Sequence, residues 1–180
     1  MSIVNEADAS DWAELINAGM EHAVPAMHGL GIRVLEARPG YAVTTVPLAG
    51  NVNHLGSMYA GALFGVAELL GGALFFPSFD AAQFYPTVKD LQIRYRRPAT
   101  TDVRARAELD APTIARMQHE AGTAGKAEFV IDAVLTDTSG EVVATTRGTY
   151  QIRTSATQTG AMRAVGAQGL HRLGYTKGEQ

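Results

Sequence analysis

The sequence predicts a single α+β domain, in which one curved antiparallel sheet wraps around a long central helix and an additional N-terminal helix packs alongside. Three observations lead there. Residues 58–79 form a run of 22 with one formal charge, Glu68. Strand-like segments flank that run, and the clearest of them alternates apolar and polar residues, the mark of a strand with one face in water. The chain order is helix, two strands, apolar helix, four strands. A helix that is apolar all round must be covered on every side, and strands with one apolar face supply the cover.

The N-terminal helix is expected over residues 11–24. Asp11 and Glu14 make a capping-box start, Trp12, Leu15, Ile16, Met20, Ala23 and Val24 recur at helical spacing, and Pro25 stops the helix. Residues 31–37 and 41–48 read as a hairpin across Arg38-Pro39-Gly40. A loop rich in Gly and Asn covers 49–58, and the central helix follows over 59–76. Residues 77–86 are read as a connection. Strands are expected at 87–96, 103–109, 127–136 and 142–152, with a turn at Asp137-Thr138-Ser139-Gly140. In the second of these Val103, Ala105, Ala107 and Leu109 alternate with Arg104, Arg106 and Glu108. Residues 116–126 read as a polar link between strands. The domain is thus residues 1–153, and 154–180, glycine-rich and aperiodic, reads as a flexible C-terminal tail.

Composition excludes several functions. A net charge of −3 argues against general attraction to nucleic acid. The absence of cysteine removes a disulfide framework, a thiolate zinc site and a cysteine nucleophile together. The five histidines show no metal-ligand spacing. The acidic start has no apolar signal region, which together with the lack of cysteine leads to the expectation of a cytoplasmic protein. The apolar run is long enough to span a bilayer. Glu68 at its middle, four glycines, Pro77 and the lack of flanking Lys/Arg clusters argue for a core helix instead.

Gly61, Gly65, Glu68 and Gly72 fall within a stripe about 60° wide on that helix at about 100° per residue. Either another part of the chain packs closely there, or a narrow space is left beside the carboxylate. A lone acid in such a place is desolvated and becomes a candidate general base or nucleophile. The competing reading is a structural acid that meets an arginine or a backbone donor.

The segment before the helix reads Asn53-His54-Leu55-Gly56-Ser57-Met58-Tyr59-Ala60-Gly61. With Ala67-Glu68 at its spacing, it resembles the hotdog-fold acyl-CoA thioesterases, in particular the phenylacetyl-CoA and 4-hydroxybenzoyl-CoA thioesterase group. Their pattern is Asn-x-x-Gly-x-x-His-Gly-Gly followed by an acid on the central helix. The likeness covers about residues 31–152, including the Arg-Arg-Pro-Ala segment at 96–99. It implies a hotdog fold, an acyl-thioester site at the interface of a homodimer or dimer of dimers, and hydrolysis of an acyl-CoA without metal or bound cofactor, coenzyme A being part of the substrate.

Residue by residue, the resemblance places Glu68 as the catalytic carboxylate, Ala60 as the donor of a backbone N–H to the thioester oxygen, and Asn53 as the motif asparagine that shapes the site. Tyr59 stands where the family has histidine, and Ala60 where it has the first glycine. Substrate contacts are expected at Tyr59, Gly61 and His54. Arg96 and Arg97, at a strand end, are candidates for the coenzyme A phosphates. Ser57 lacks the glycines of a nucleophile elbow and reads as a helix N-cap. Phe75, Phe76, Phe79 and Phe84 line either an acyl pocket or the core. A domain that binds acyl-CoA without cleaving it is the main alternative. An enoyl-thioester hydratase is weaker, because no histidine lies within seven residues of Glu68.

Overall fold

The computed structural model describes residues 9–155. The segment expected as a tail lies outside the described residues from position 156 on. The elements are α1 (Ala9–Ala23), α2 (Pro25–Gly29), β1 (Arg33–Arg38), β2 (Tyr41–Val46), α3 (Ala60–Ser78), β3 (Phe84–Tyr95), β4 (Val103–Glu108), α4 (Ala111–Ala124), β5 (Lys126–Thr136) and β6 (Val142–Thr154). The six strands form one antiparallel sheet in the order β1-β2-β4-β5-β6-β3.

The sheet folds around α3. Ala62, Val66, Leu70, Ala73 and Leu74 are fully buried, facing Val46, Val103, Ala105, Leu135 and Ile152 from the strands. Alternation in β4 is strict, with Val103, Ala105 and Ala107 inward. Thr44 and Thr146 are buried polar residues on this inner face, and Thr44 is tied to the helix. Its hydroxyl donates to the Val66 carbonyl at 2.6 Å and ties β2 to the helix. Among the described residues α3 is the one helix long and apolar enough to cross a membrane, and most of it is buried inside the domain.

Several boundaries differ from expectation, each for a physical reason. The first helix starts at Ala9, so Asp11 lies inside it rather than capping it. Pro25 does end α1 but opens the short helix α2, where proline suits the first turn. The central helix runs past Pro77 to Ser78. Its last turn survives the missing N–H because Phe79 N–H closes on Phe75 O at 2.9 Å, and Ser78 Oγ accepts from Gly40 N–H at 3.0 Å. β3 begins at Phe84, within the expected connection, and β6 extends through Thr154.

The largest correction is that residues 111–124 form α4, where 116–126 were expected to be a polar link between strands. Asp110 caps it, accepting from Thr113 N–H at 2.7 Å, Pro112 sits in the first turn, and Gly125 ends it in the left-handed conformation. Met117 and Ala121 are its buried contacts.

The two sheet edges are treated differently. At β1 the Asn17 side chain from α1 donates to Val34 O and accepts from Val34 N–H, both at 2.8 Å, so the edge is partly paired from within. β3 pairs with β6 on one side, and its other edge is open among the described residues. Pro86 and a bulge at Lys89 interrupt the first part of that edge, while residues 90–95 are regular.

Candidate active site

The loop ahead of α3 is built on two asparagines. Asn51 is buried, and its side-chain Nδ2 donates to Leu30 O at 2.7 Å and Pro47 O at 2.9 Å, while its main-chain carbonyl accepts from Tyr59 N–H at 2.7 Å. Asn53 Oδ1 accepts from the N–H groups of Leu55 (2.9 Å) and Ser57 (3.2 Å), and its Nδ2 donates to Ser57 Oγ at 3.1 Å. Ser57 is therefore a partner of Asn53 and not the helix cap, which is Tyr59 with no side-chain bond. Asn53 is committed to folding the loop that presents the helix start.

At that start Ala60 is exposed and is the first helical residue. Its N–H has no acceptor among the described residues, as first-turn amides generally lack one inside the helix. The helix dipole adds positive potential at this point. The Ala60 carbonyl accepts from Tyr95 Oη at 3.1 Å. This contact brings the end of β3, with exposed Arg96 and Arg97, beside the helix start. Met58 N–H, donating to Ala99 O at 2.8 Å, fastens the same segment. Arg97 is paired with Glu141, whereas Arg96 has no ion pair among the described residues. His54 is exposed in the loop, and Tyr59 lays its ring over Gly61.

Two turns along α3, Glu68 faces a cavity of about 240 Å³ between α1, α3 and β3. Ile16, Met20, Met27, Leu69 and Phe76 supply much of its apolar lining. Glu68 is half-buried, and desolvation holds its pKa above the usual carboxylate value. It has no ion pair or hydrogen bond among the described residues, so the arginine or backbone partner of the structural reading is not there. Of the four phenylalanines weighed as pocket or core, Phe76 lines the cavity, while Phe75, Phe79 and Phe84 are core.

The glycine stripe resolves position by position. Gly65 lies under Ile32, whose Cδ1 would stand 2.9 Å from an added Cβ. Gly72 faces open space beside the cavity. Its neighbour Gly71 is the opposite case, since an added Cβ would lie 2.2 Å from the Tyr150 ring. Adjacent substitutions should therefore have opposite signs. Gly72→Ala should stabilise by about 0.5–1 kcal/mol, the helix-propensity gain. Gly71→Ala should destabilise by about 1–3 kcal/mol, because the Tyr150 ring is already held on its far edge by Gly148. Urea midpoints of the two variants measure both, and equal shifts would contradict this packing.

Within one chain Ala60 and Glu68 stay apart. Eight residues of helix separate them by about 12 Å along the axis and about 80° around it. Tyr59 over Gly61 and Ile32 over Gly65 fill the face between. The residues that sequence reasoning missed are Asn51, Tyr95 and Tyr150, each of which acts through a contact with a distant part of the chain. Among the described residues no three His, Asp or Glu side chains converge as a metal-ligand set.

Residues 13–152 match the family described as a domain of unknown function, DUF4442. Among solved structures, a Pseudomonas aeruginosa protein of unknown function named a probable thioesterase is 50% identical. That match covers 78% of this chain and 95% of that one, with a TM-score of 0.74. A mutant thioesterase from the same organism is 18% identical, covering 84% of this chain and 97% of its own at a TM-score of 0.63. A Haemophilus influenzae thioesterase is 15% identical, covering 82% and 92% at 0.61. The last two speak for the fold alone. The chain belongs to the DUF4442 family, and its sheet wrapped around α3 is the hotdog fold of these thioesterases.

Proposed function

We propose that this protein hydrolyses an acyl-CoA or related acyl thioester in the cytoplasm, as a homodimer whose sites are shared between subunits. The observation that carries the reading is Glu68, unpartnered and facing an apolar cavity on the central helix of this fold. The 50% identity to a probable thioesterase supports it. The acyl group occupies the cavity. The Ala60 N–H polarises the thioester carbonyl, Glu68 activates water or attacks directly, and Asn53 and Gly61 hold the helix start in shape. Arg96, at the end of β3 and without an ion pair among the described residues, is the better of the two phosphate candidates, and Tyr59 and His54 flank the entrance. No metal or bound cofactor enters this scheme.

A second subunit follows from the same geometry. Groups about 12 Å apart on one helix do not converge on one carbonyl, whereas a partner's helix can bring the missing group. The regular, open stretch 90–95 of β3 offers the pairing edge. Sedimentation at micromolar concentration should give a species about twice the 19.1 kDa chain mass. A 19.1 kDa species alone would count against the shared site.

The test of the function is a panel of acyl-CoAs of increasing chain length with a thiol reagent. Hydrolysis appears as thiol release. Thermal stabilisation by an acyl-CoA with no thiol release would instead identify a binding domain.

A further inference from the structure

Tyr150 has no part in the scheme above, yet its place is built with care. Its ring is held between two glycines, Gly71 on α3 and Gly148 two residues earlier on β6. A Cβ at either would fall 2.2 or 2.6 Å from ring carbons. Phe129 closes another side, with ring centroids 5.7 Å apart. The residue is 3% exposed, and its hydroxyl has no hydrogen-bond partner among the described residues. Among the described residues Arg153 Nε is the one buried side-chain polar atom cut off from both solvent and partners. The unpartnered Tyr150 oxygen is therefore open to the space its residue lines, which is the cavity that Glu68 faces. Buried tyrosine hydroxyls ordinarily find a partner. Thr87, another polar residue lining the cavity, already donates to Gln151 O at 3.4 Å.

We propose that Tyr150 is a water-positioning residue: its hydroxyl and the Glu68 carboxylate hold the hydrolytic water between them, so that Glu68 acts as a general base. This rests on the thioesterase reading. A water held in an interior needs two or more polar partners, and in this cavity these two side chains supply them. The Tyr150 O–H donates to one lone pair of the water, Glu68 accepts one of its protons, and the second lone pair faces the carbonyl carbon. As the O–C bond forms, the proton passes to Glu68 and the carbonyl oxygen takes the negative charge. Collapse breaks the C–S bond, and the proton on Glu68 goes to the leaving thiolate, giving a carboxylic acid and a thiol. Burial, and then the charge of Glu68, push the Tyr150 ionisation upward, so the phenol remains a donor throughout. Among the described residues the other elements at the cavity bring no further ionisable side chain to Glu68: α1 gives Ile16, Gly19 and Met20, α2 gives Met27, and β3 gives Pro86, Thr87 and Val88.

The test compares Tyr150→Phe, Glu68→Gln and the double variant on an acyl-CoA that the wild type turns over. Phenylalanine keeps the ring in its slot between the glycines, so the thermal midpoint should hold. The expected result is a fall in kcat of about 10- to 100-fold with KM little changed, and a double variant no slower than Glu68→Gln alone, because the two groups serve one water. A Tyr150→Phe enzyme with full kcat, or losses that multiply in the double variant, overturns the proposal while Glu68→Gln remains inactive. Full activity in Glu68→Gln removes Glu68 from the mechanism, and the proposal with it, whereas the thioesterase reading itself falls only if the wild type releases no thiol from any acyl-CoA of the panel.

Discussion

Replacing Glu68 with glutamine is expected to lower thioester hydrolysis by about 10²-fold or more, the usual scale for a lost acid–base group, and to leave the thermal midpoint unchanged or raised. Glutamine keeps the shape but cannot ionise. The stability part follows from linkage. Desolvation raises the Glu68 pKa in the folded chain above the ordinary value of a glutamate carboxyl. Between the unfolded and folded values the folded state binds more protons, so stability is highest below the unfolded value and falls as pH rises through the folded one. The glutamine variant lacks that fall and should gain on the wild type at neutral pH. Activity runs the other way. In the wild type kcat/KM should climb with pH as Glu68 ionises, with its inflection above the ordinary carboxylate range. A structural ion pair would reverse the stability result, because its partner would be left uncompensated. Thermal midpoint and turnover on one preparation separate the two, and a destabilised variant with full specific activity would end the catalytic assignment.

The parts of this site carried by local spacing were legible in the sequence. Glu68 shares its helical stripe with Gly72, and Ala60 follows a loop whose Asn53 and Gly56 mark a tight turn. β4 was legible because each side chain declares its face. α4 was missed although its signals were present in Asp110, Pro112 and Gly125. Its exposed faces are polar and two residues are buried, so its apolar period is faint. The cavity could not be read, because its walls come from α1, α3, β3 and β6 together. Gly71 and Gly72 show the limit most clearly. They are identical in sequence, but a tyrosine 79 positions after Gly71 fills the space beside it, while the space beside Gly72 stays open.

The second large effect is expected from Ala60→Pro. Proline is well suited to the first position of a helix, where its fixed φ is already helical and the N–H it lacks is an orphan. Tyr59, at φ −58 and ψ 132, already has the extended backbone that a residue before proline prefers. The Ala60 N–H has no acceptor among the described residues, and the carbonyl that receives Tyr95 Oη is retained, so no bond among those residues is lost. Stability should shift by no more than about 0.5 kcal/mol. If this N–H is the oxyanion donor, turnover should fall by about 10²- to 10³-fold, and Ala60→Gly, which keeps the N–H, should remain active. A fully active proline variant would remove Ala60 from the mechanism. Mixing the Ala60→Pro and Glu68→Gln chains then tests how the site is divided. If the two groups act within one chain, no mixed dimer holds a complete site and the mixture stays inactive. If they act across the interface, each mixed dimer pairs an intact Ala60 from one chain with an intact Glu68 from the other. Half of the dimers are mixed and each holds one complete site of two, so the equimolar mixture should recover about a quarter of wild-type turnover after subunit exchange. Recovery of activity from two inactive proteins would place the reaction between subunits, in line with the shared site proposed from the separation of Ala60 and Glu68 along α3.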